Sequence, residues 1–324
     1  MSTIDLTVRS RGSRFRQSFM RFAIVWVTVA LFIALAITTP GFIDLTNLGN
    51  ILDQQATILI VAAPFTLTLI AGSFDVSLSA IFVTAPLAAL QVQIATGSTL
   101  LAVATGVLVG AICGAVNAFA VVKLKINSFI ATLATSFMIF GVGYVISGSS
   151  ILTPTDPSFR GLSMSKFAGF TSQTLLAVLV VAIFWVLLAR TRYGRYVYAT
   201  GANIEAARLS GVRVGVIVAS TFIMVGAAAG FAGVLNASQS LSAQASDDFT
   251  FVFSVLAAVV VGGTSISGGS GTVWRTVVGT IFIALIGNGF NLNQIDPIVQ
   301  RIVLGAVILL AVGLDNFARL RRTA

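Results

Sequence analysis

The sequence predicts an all-α, polytopic membrane protein of about ten transmembrane helices, with N and C termini cytoplasmic. Three observations predict it. First, 57% of the 324 residues are hydrophobic and 9% are charged, with mean hydropathy +1.01, whereas soluble domains are near half apolar and about a quarter charged. A chain of this size cannot hide so much apolar surface in one water-soluble core. Second, apolar runs of membrane length recur along the whole chain. Third, the basic residues sort to one side of those runs.

The runs fall near 22–38, 54–72, 76–95, 99–122, 128–147, 172–189, 214–237, 249–266, 273–292 and 297–314, each bounded by polar residues, Gly or Pro. At ~20 residues per span, ten spans take about 200 positions and leave no loop long enough for a separate domain. The expected organisation is a cytoplasmic arm over 1–21, one transmembrane domain over 22–318 with a cytoplasmic loop at 190–213, and a cytoplasmic tail over 319–324. In the first run, Arg14, Arg16 and Arg21 precede a stretch ending at Ala34, Leu35 and Ala36. That pattern is similar to a cleavable secretory signal, but the run is long for a signal core and suits an uncleaved first helix. The eighth run dissolves into glycine over 261–271, where a helix breaks or re-enters.

There are 19 Lys+Arg against 10 Asp+Glu, a net charge of +9. A cytoplasmic N-terminus places Arg9, Arg11, Arg14, Arg16, Arg21, Lys123, Lys125, Arg190, Arg192, Arg195, Arg208, Arg213, Arg275, Arg319, Arg321 and Arg322 inside, and only Arg160, Lys166 and Arg301 outside. This follows the positive-inside rule for an even number of spans. The basic excess therefore records orientation, and no aromatic-interleaved patch suggests nucleic acid.

Several chemistries are excluded. With no His and one Cys, a His-based metal site, a Ser-His-Asp triad, a Cys-His pair and an intrachain disulfide are ruled out. Cys113 reads as a small buried residue in the run 110–114. No catalytic residue, metal ligand or cofactor is expected. A Walker loop needs a Gly-Lys dipeptide, but Lys123, Lys125 and Lys166 follow Val122, Leu124 and Ser165, so any ATP-driven motion must be powered by a partner. Asp53, Asp75, Asp247, Asp248, Asp296 and Asp315 lie at or near the ends of the runs, leaving no carboxylate relay at mid-membrane. Sodium coupling through backbone carbonyls at a broken helix stays open.

The loop 190–213 encodes a short helix. Asn203 can cap it, Glu205 suits the first turn, Arg208 suits the last, and Gly211 can take the left-handed terminating conformation. Two turns are not stable alone in water. The helix must be held by the flanking spans or by a docked protein; the alternative is an ordinary basic connector lying on lipid headgroups.

Gly106, Gly110 and Gly114 share one face of the fourth span and allow a close neighbour. Asn117 returns to nearly the same face, where an interhelical hydrogen bond is a better expectation than ligand contact. Gly226, Gly230 and Gly233 repeat the packing theme in the seventh span. Asp75 falls in a short cytoplasmic turn with Ser73, Ser77 and Ser79, either accepting backbone N–H bonds at the start of the third span or acting as a gate. The segment 262–271 lacks the lysine of a phosphate loop.

Glu205, Ala206 and Ala207 followed by Gly211 reproduce an EAA-three-residues-Gly signature that resembles the cytoplasmic loop of ATP-binding-cassette importer permeases. Residues 71–79 resemble the Gly-Ile-Asp-Leu-Ser-Val-Gly turn of ribose-type sugar permeases, and 114–117, 129–133, 262–272 and 288–292 are similar to that family as well. The resemblance covers roughly residues 45–315. Phe74, Ser79, Ala118, Asn127 and Ser128 depart from the family pattern and bear on which sugar is carried.

The resemblance implies a non-catalytic permease subunit forming half of a pathway for a monosaccharide or related polyol in a bacterial inner membrane. Its implied partners are ATPase subunits, a periplasmic or extracellular sugar-binding protein, and a second permease subunit, identical or related. Gly201, Glu205, Ala206, Ala207 and Gly211 would then form the ATPase-coupling site, with the two alanines permitting close approach. Phe74, Asp75 and Asn117 are candidate pathway or gate residues. At the outer ends, Asn236 pairs with Gln239 and Asn288 with Asn291, each three apart; their amides and the Phe290 ring could meet a sugar, or could simply cap the membrane interface. Asp156, Asp247, Asp248 and Asp296 are candidate contacts for the binding protein. A stand-alone secondary carrier or channel is the alternative.

Overall fold

Helices whose residues are apolar on every side can turn any face to lipid, so small residues and scattered polar groups decide which helices meet. The computed structural model describes residues 22–323. The arm 1–21, with Arg9, Arg11, Arg14, Arg16 and Arg21, lies outside the described residues.

Helix α1 spans Ala23–Thr38, α2 Leu45–Ile70, α3 Leu78–Thr96 and α4 Thr99–Ala118, which runs on through a π turn at Phe119–Lys123. Helix α5 spans Ser128–Ser147, α6 Ser172–Arg190, α7 Arg192–Ala202 and α8 Ile204–Leu209. Helix α9 spans Val214–Ser240, α10 Thr250–Val261, α11 Val273–Leu292 and α12 Pro297–Thr323. Seven of these are long and apolar enough to cross a membrane: α2, α3, α4 with its π turn, α5, α6, α9 and α11. Three further apolar helical stretches are shorter, namely α1, α10 and 297–307 of α12.

Local chemistry sets the ends. Ser98, Asn127 and Thr171 cap α4, α5 and α6 through their side-chain oxygens. Gly97 and Gly148 end α3 and α5 at φ 69° and 57°, in the left-handed region that glycine occupies without penalty.

Several expectations are corrected. The second helix begins at Leu45 rather than near 54, because the polar residues that dilute its first turns find partners. Asn47 and Asn288 exchange amide hydrogen bonds at 3.1 and 2.8 Å. Asp53, expected at the edge of a run, lies inside α2; its carboxylate accepts from the hydroxyls of Thr171 and, at 2.6 Å, of Thr174. The helix of the eighth run, α10, stops at Val261, well short of 266, where Gly262 and Gly263 begin a tight loop. The fold is not purely helical: Lys166–Phe167 pairs antiparallel with Phe170–Thr171 across Ala168 and Gly169, both at positive φ, as a two-residue hairpin turn requires. Cys113 is half-buried rather than buried.

Helix α9 stands at the centre and packs on α4, α3 and α2. The glycine face expected in the fourth span meets Gly226 and Gly230 of the seventh there, while Gly233 packs instead on Phe82 and Pro86 of α3. A β-carbon on Gly226 would lie 3.1 Å from Gly114 Cα, and one on Gly110 would lie 2.8 Å from the carbonyl carbon of Gly226. Such approach is open only to glycine, since carbon atoms in ordinary contact sit ~3.5–4.0 Å apart. The main apolar core also involves α9, with Ile60, Phe65, Ile81, Val225, Val255 and Val259 in one buried cluster.

Candidate functional site

Two linked features stand at the end of the bundle where the chain passes from α2 to α3, from α6 to α9 and from α10 to α11. The first is the segment between α6 and α9, nearly all of it helical. Thr191 caps α7 by accepting from Gly194 N, and the buried Val197 and half-buried Tyr193 and Tyr198 hold that helix on the bundle. Asn203 Oδ1 then accepts from Ala206 N at 3.0 Å to start α8. Glu205 and Arg208 pair at 2.9 Å, and Gly211 follows at φ 81°.

Helix α8 has two different faces. Ala207 is buried against Ala118, Val214, Val218 and Phe222, so it serves the chain's own packing and its small size lets α8 lie on α9. Of the two alanines expected to permit close approach, Ala207 does so within the chain, against α9. Glu205 and Ala206 point outward with Ile204 and Leu209, and Leu209 is 89% exposed.

Gly201, at the end of α7, meets two other segments. A β-carbon there would fall on the carbonyl oxygen of Ile70, 2.7 Å from Gly269 N and 2.8 Å from Ile70 C. Gly269 N donates to that same Ile70 oxygen at 2.8 Å, and Tyr198 Oη donates to Gly271 O at 2.7 Å. The end of α2, the end of α7 and the glycine-rich loop 262–272 are thus joined backbone to backbone. The role of that glycine run is close packing.

The second feature is the connection Ala71–Ser77, which folds back into the bundle instead of lying in an open turn. Asp75 is fully buried. Its Oδ1 accepts from Ser77 N at 2.9 Å and Ser77 Oγ at 2.7 Å, while Oδ2 has no hydrogen-bond partner. Ser77 Oγ accepts in turn from Asn117 Nδ2 at 2.6 Å, and Asn117 Oδ1 accepts from Thr135 Oγ1 at 2.6 Å. This chain ties the connection to α4 and α5. Phe74 N donates to Ser128 Oγ and Val76 N to Thr132 Oγ1, both at 3.0 Å, and the Phe74 ring lies 5.7 Å from that of Phe65 and 5.9 Å from that of Phe129. Asn117 thereby serves an interhelical network. The hydroxyls of Ser77, Ser128, Thr132 and Thr135 were not singled out from the sequence in this role, although Ser77 was noted beside Asp75; single hydroxyls in apolar runs carry no periodic signal.

The outer-end amides do not converge on one site. Asn288 is engaged by Asn47, and Asn291 Oδ1 accepts from Gln300 Nε2 at 2.9 Å. Asn236 is exposed and Gln239 half-buried one turn away, while Phe290 lines a separate cleft beside α12. Among the loop acids, Asp156, Asp248 and Asp296 each accept from a backbone N–H two residues on, at 2.8, 2.7 and 2.7 Å. Ser158 holds the Asp156 carboxyl below the usual carboxylate range through its hydroxyl and its amide. Asp247 accepts from the Tyr144 hydroxyl. All four acids are exposed, and a bridge between Leu152 and Ala243 draws the loops bearing Asp156 and Asp247 together.

The family model described as "Branched-chain amino acid transport system / permease component" matches residues 47–312. The ribose import permease protein RbsC of Escherichia coli K12 is 32% identical over 295 residues, covering 89% of this chain and 92% of that protein. RbsC of Haemophilus influenzae is 33% identical over 296 residues with the same coverage. The L-arabinose transport system permease protein AraH of E. coli K12 is 36% identical over 202 residues, 62% of each chain. No solved structure matches.

Proposed function

Since the chain belongs to the permease-component family of branched-chain amino acid transport systems, we propose that it is the membrane-spanning subunit of an ATP-driven importer for a monosaccharide or related polyol. The observation that carries this reading is the match, along nine-tenths of both chains, to ribose import permeases, with an arabinose permease beside them. The substrate class follows the names of these relatives rather than the amino acids of the family title. The chain catalyses no covalent chemistry, as befits a permease component.

In this reading ten helices cross the membrane, with the ends of α7 and α8 in the cytoplasm. Two such subunits enclose the pathway, ATPase subunits dock at α8, and a sugar-binding protein docks on the loops bearing Asp156, Asp247, Asp248 and Asp296. Gly201, Glu205, Ala206 and Gly211 transmit the nucleotide state, and Phe74, Asp75 and Asn117 lie where the α2–α3 connection would respond. The support is geometric. A two-turn helix carries an exposed apolar residue, Leu209, where water alone would favour a polar one. The neighbouring Gly201 forms a backbone junction with Ile70, four residues before Phe74. Only differential binding of the ATPase to two states can shift their populations, so the docking helix must be coupled rigidly to the segments that move.

The test is reconstitution in proteoliposomes with its cognate ATPase and binding protein, followed by uptake of labelled pentoses and hexoses. ATP-dependent uptake is expected. Equal uptake by the chain alone would establish the stand-alone carrier instead.

A further inference from the structure

A cleft between α10, α11 and α12 has Phe290 in its wall and lies beside the loops that carry Asp248 and Asp296, and the transport reading names no occupant for it. Its volume is about 260 Å³. Thr250, Gln300 and Arg301 line one end, and Ile283, Leu304 and Val307 line the other. From Pro297 to Val307 the helix rises ~15 Å, so the cleft grades along α12 from polar to apolar. Gly287 forms part of its wall, and a β-carbon there would meet nothing within 4 Å.

Arg301 is exposed and makes no ion pair among the described residues. It is also one of only three cations that the charge pattern places on the non-cytoplasmic side. A lone guanidinium at the mouth of an apolar slot between membrane helices calls for an anion. A soluble anion would satisfy the cation and leave the slot unfilled; a lipid satisfies both.

We propose that this cleft holds a membrane phospholipid, its phosphate at Arg301 and one acyl chain running past Gly287 toward Val307. The surrounding charges select the headgroup. Asp248 accepts from Thr250 at the rim, and Asp296 immediately precedes α12 and accepts from Ile298 N. Carboxylates on the segments that enter the cleft, Asp248 two residues before Thr250 and Asp296 five before Arg301, suit a headgroup bearing an amine as well as a phosphate, so the occupant is phosphatidylethanolamine rather than an anionic lipid.

The experiment is native mass spectrometry of the full-length chain, delipidated and titrated with phosphatidylethanolamine, phosphatidylglycerol or dioleoylglycerol. The wild type should show a saturable phosphatidylethanolamine adduct that millimolar inorganic phosphate does not displace. Arg301→Gln should weaken it about fivefold, and Gly287→Phe, which fills the slot from an open position, should abolish it. Arg301 is exposed, so its substitution leaves folding intact and keeps the test sound if Gly287→Phe lowers expression. Unchanged binding in either variant, tighter binding of phosphatidylglycerol, or equal binding of dioleoylglycerol would overturn the proposal. So would a loss of self-association on Arg301→Gln, which would show that a second copy of the chain occupies the cleft.

Discussion

Replacing Gly201 by Ala adds one methyl group where three backbones meet, and the structure sets the size of the effect. The new carbon would stand 2.7 Å from Gly269 N and 2.8 Å from Ile70 C, against ordinary contact distances of ~3.5–4.0 Å. Because the new carbon would also fall on the Ile70 carbonyl oxygen, backbone must retreat by more than the ~1 Å that these two contacts require, and it has no alternative rotamer with which to do so. Overpacking of this kind costs typically ~1–3 kcal/mol. The retreat also strains the bond from Gly269 N to Ile70 O, which adds ~1 kcal/mol if lost. The expected outcome is a chain that still inserts and retains its helices, with α7 displaced from α2 and ATP-dependent uptake strongly reduced. Two controls isolate the cause. Gly97→Ala meets nothing within 4 Å but sits at φ 69°, so it carries only the ~1 kcal/mol conformational penalty of a left-handed alanine. Gly141→Ala lies within α5 in open space and should be neutral or stabilising by up to ~1 kcal/mol. Normal uptake and an unchanged thermal transition for Gly201→Ala would refute the junction.

Asp75→Asn keeps an acceptor oxygen for Ser77 and removes a charge from a site where one oxygen has no partner, so it should leave thermal stability within ~1 kcal/mol of the wild type. Asp75→Ala strands the Ser77 amide and hydroxyl in a buried site and should cost ~2–3 kcal/mol; equal melting of the two variants would contradict the network. Gly110→Leu drives a side chain into the backbone of Gly226 and should prevent stable insertion, which fluorescence-detected gel filtration would report as aggregation; a monodisperse peak would count against the close crossing of α4 and α9. Leu209→Asp alters a residue 89% exposed and should leave folding intact while abolishing co-purification with the ATPase, whereas retained association would move the docking site elsewhere.

Much of the helix plan was readable because lipid imposes one requirement: a span must be apolar for its whole length. The runs at 128–147 and 273–292 coincide with α5 and α11 for that reason. The beginning of α2 was hidden because its polar residues are satisfied by groups remote in sequence. Asp53 meets Thr171 and Thr174 across more than a hundred residues, and Asn47 meets Asn288 across more than two hundred. Hydropathy averages neighbours and cannot register such compensation. Helix α7 gives no hydropathy signal for a related reason: its arginines and glycines dilute the apolar run, although Thr191 supplies the cap.

The site divides along the same physical line. Glycines are legible because their spacing and their need for close approach follow from helix geometry, so the faces of Gly106, Gly110 and Gly114 and of Gly226, Gly230 and Gly233 could be drawn before their partners were known. The cap at Asn203 was equally plain, being a contact over three residues. Neither kind of reasoning shows which way a small residue faces. Ala206 and Ala207 are identical in composition and adjacent in sequence, yet one lies open and the other is packed on Phe222. Serine and threonine are harder still, because a hydroxyl inside an apolar helix bonds by default to a carbonyl of its own preceding turn. Thr132 does this at Ser128 O while also receiving Val76 N, so its second role exists only once the α2–α3 connection has folded against α5. The polar chain through Asp75, Ser77, Asn117 and Thr135 is therefore a property of the packed bundle, and its members become recognisable only through the one residue, Asn117, too polar to have been left in a membrane helix without a partner.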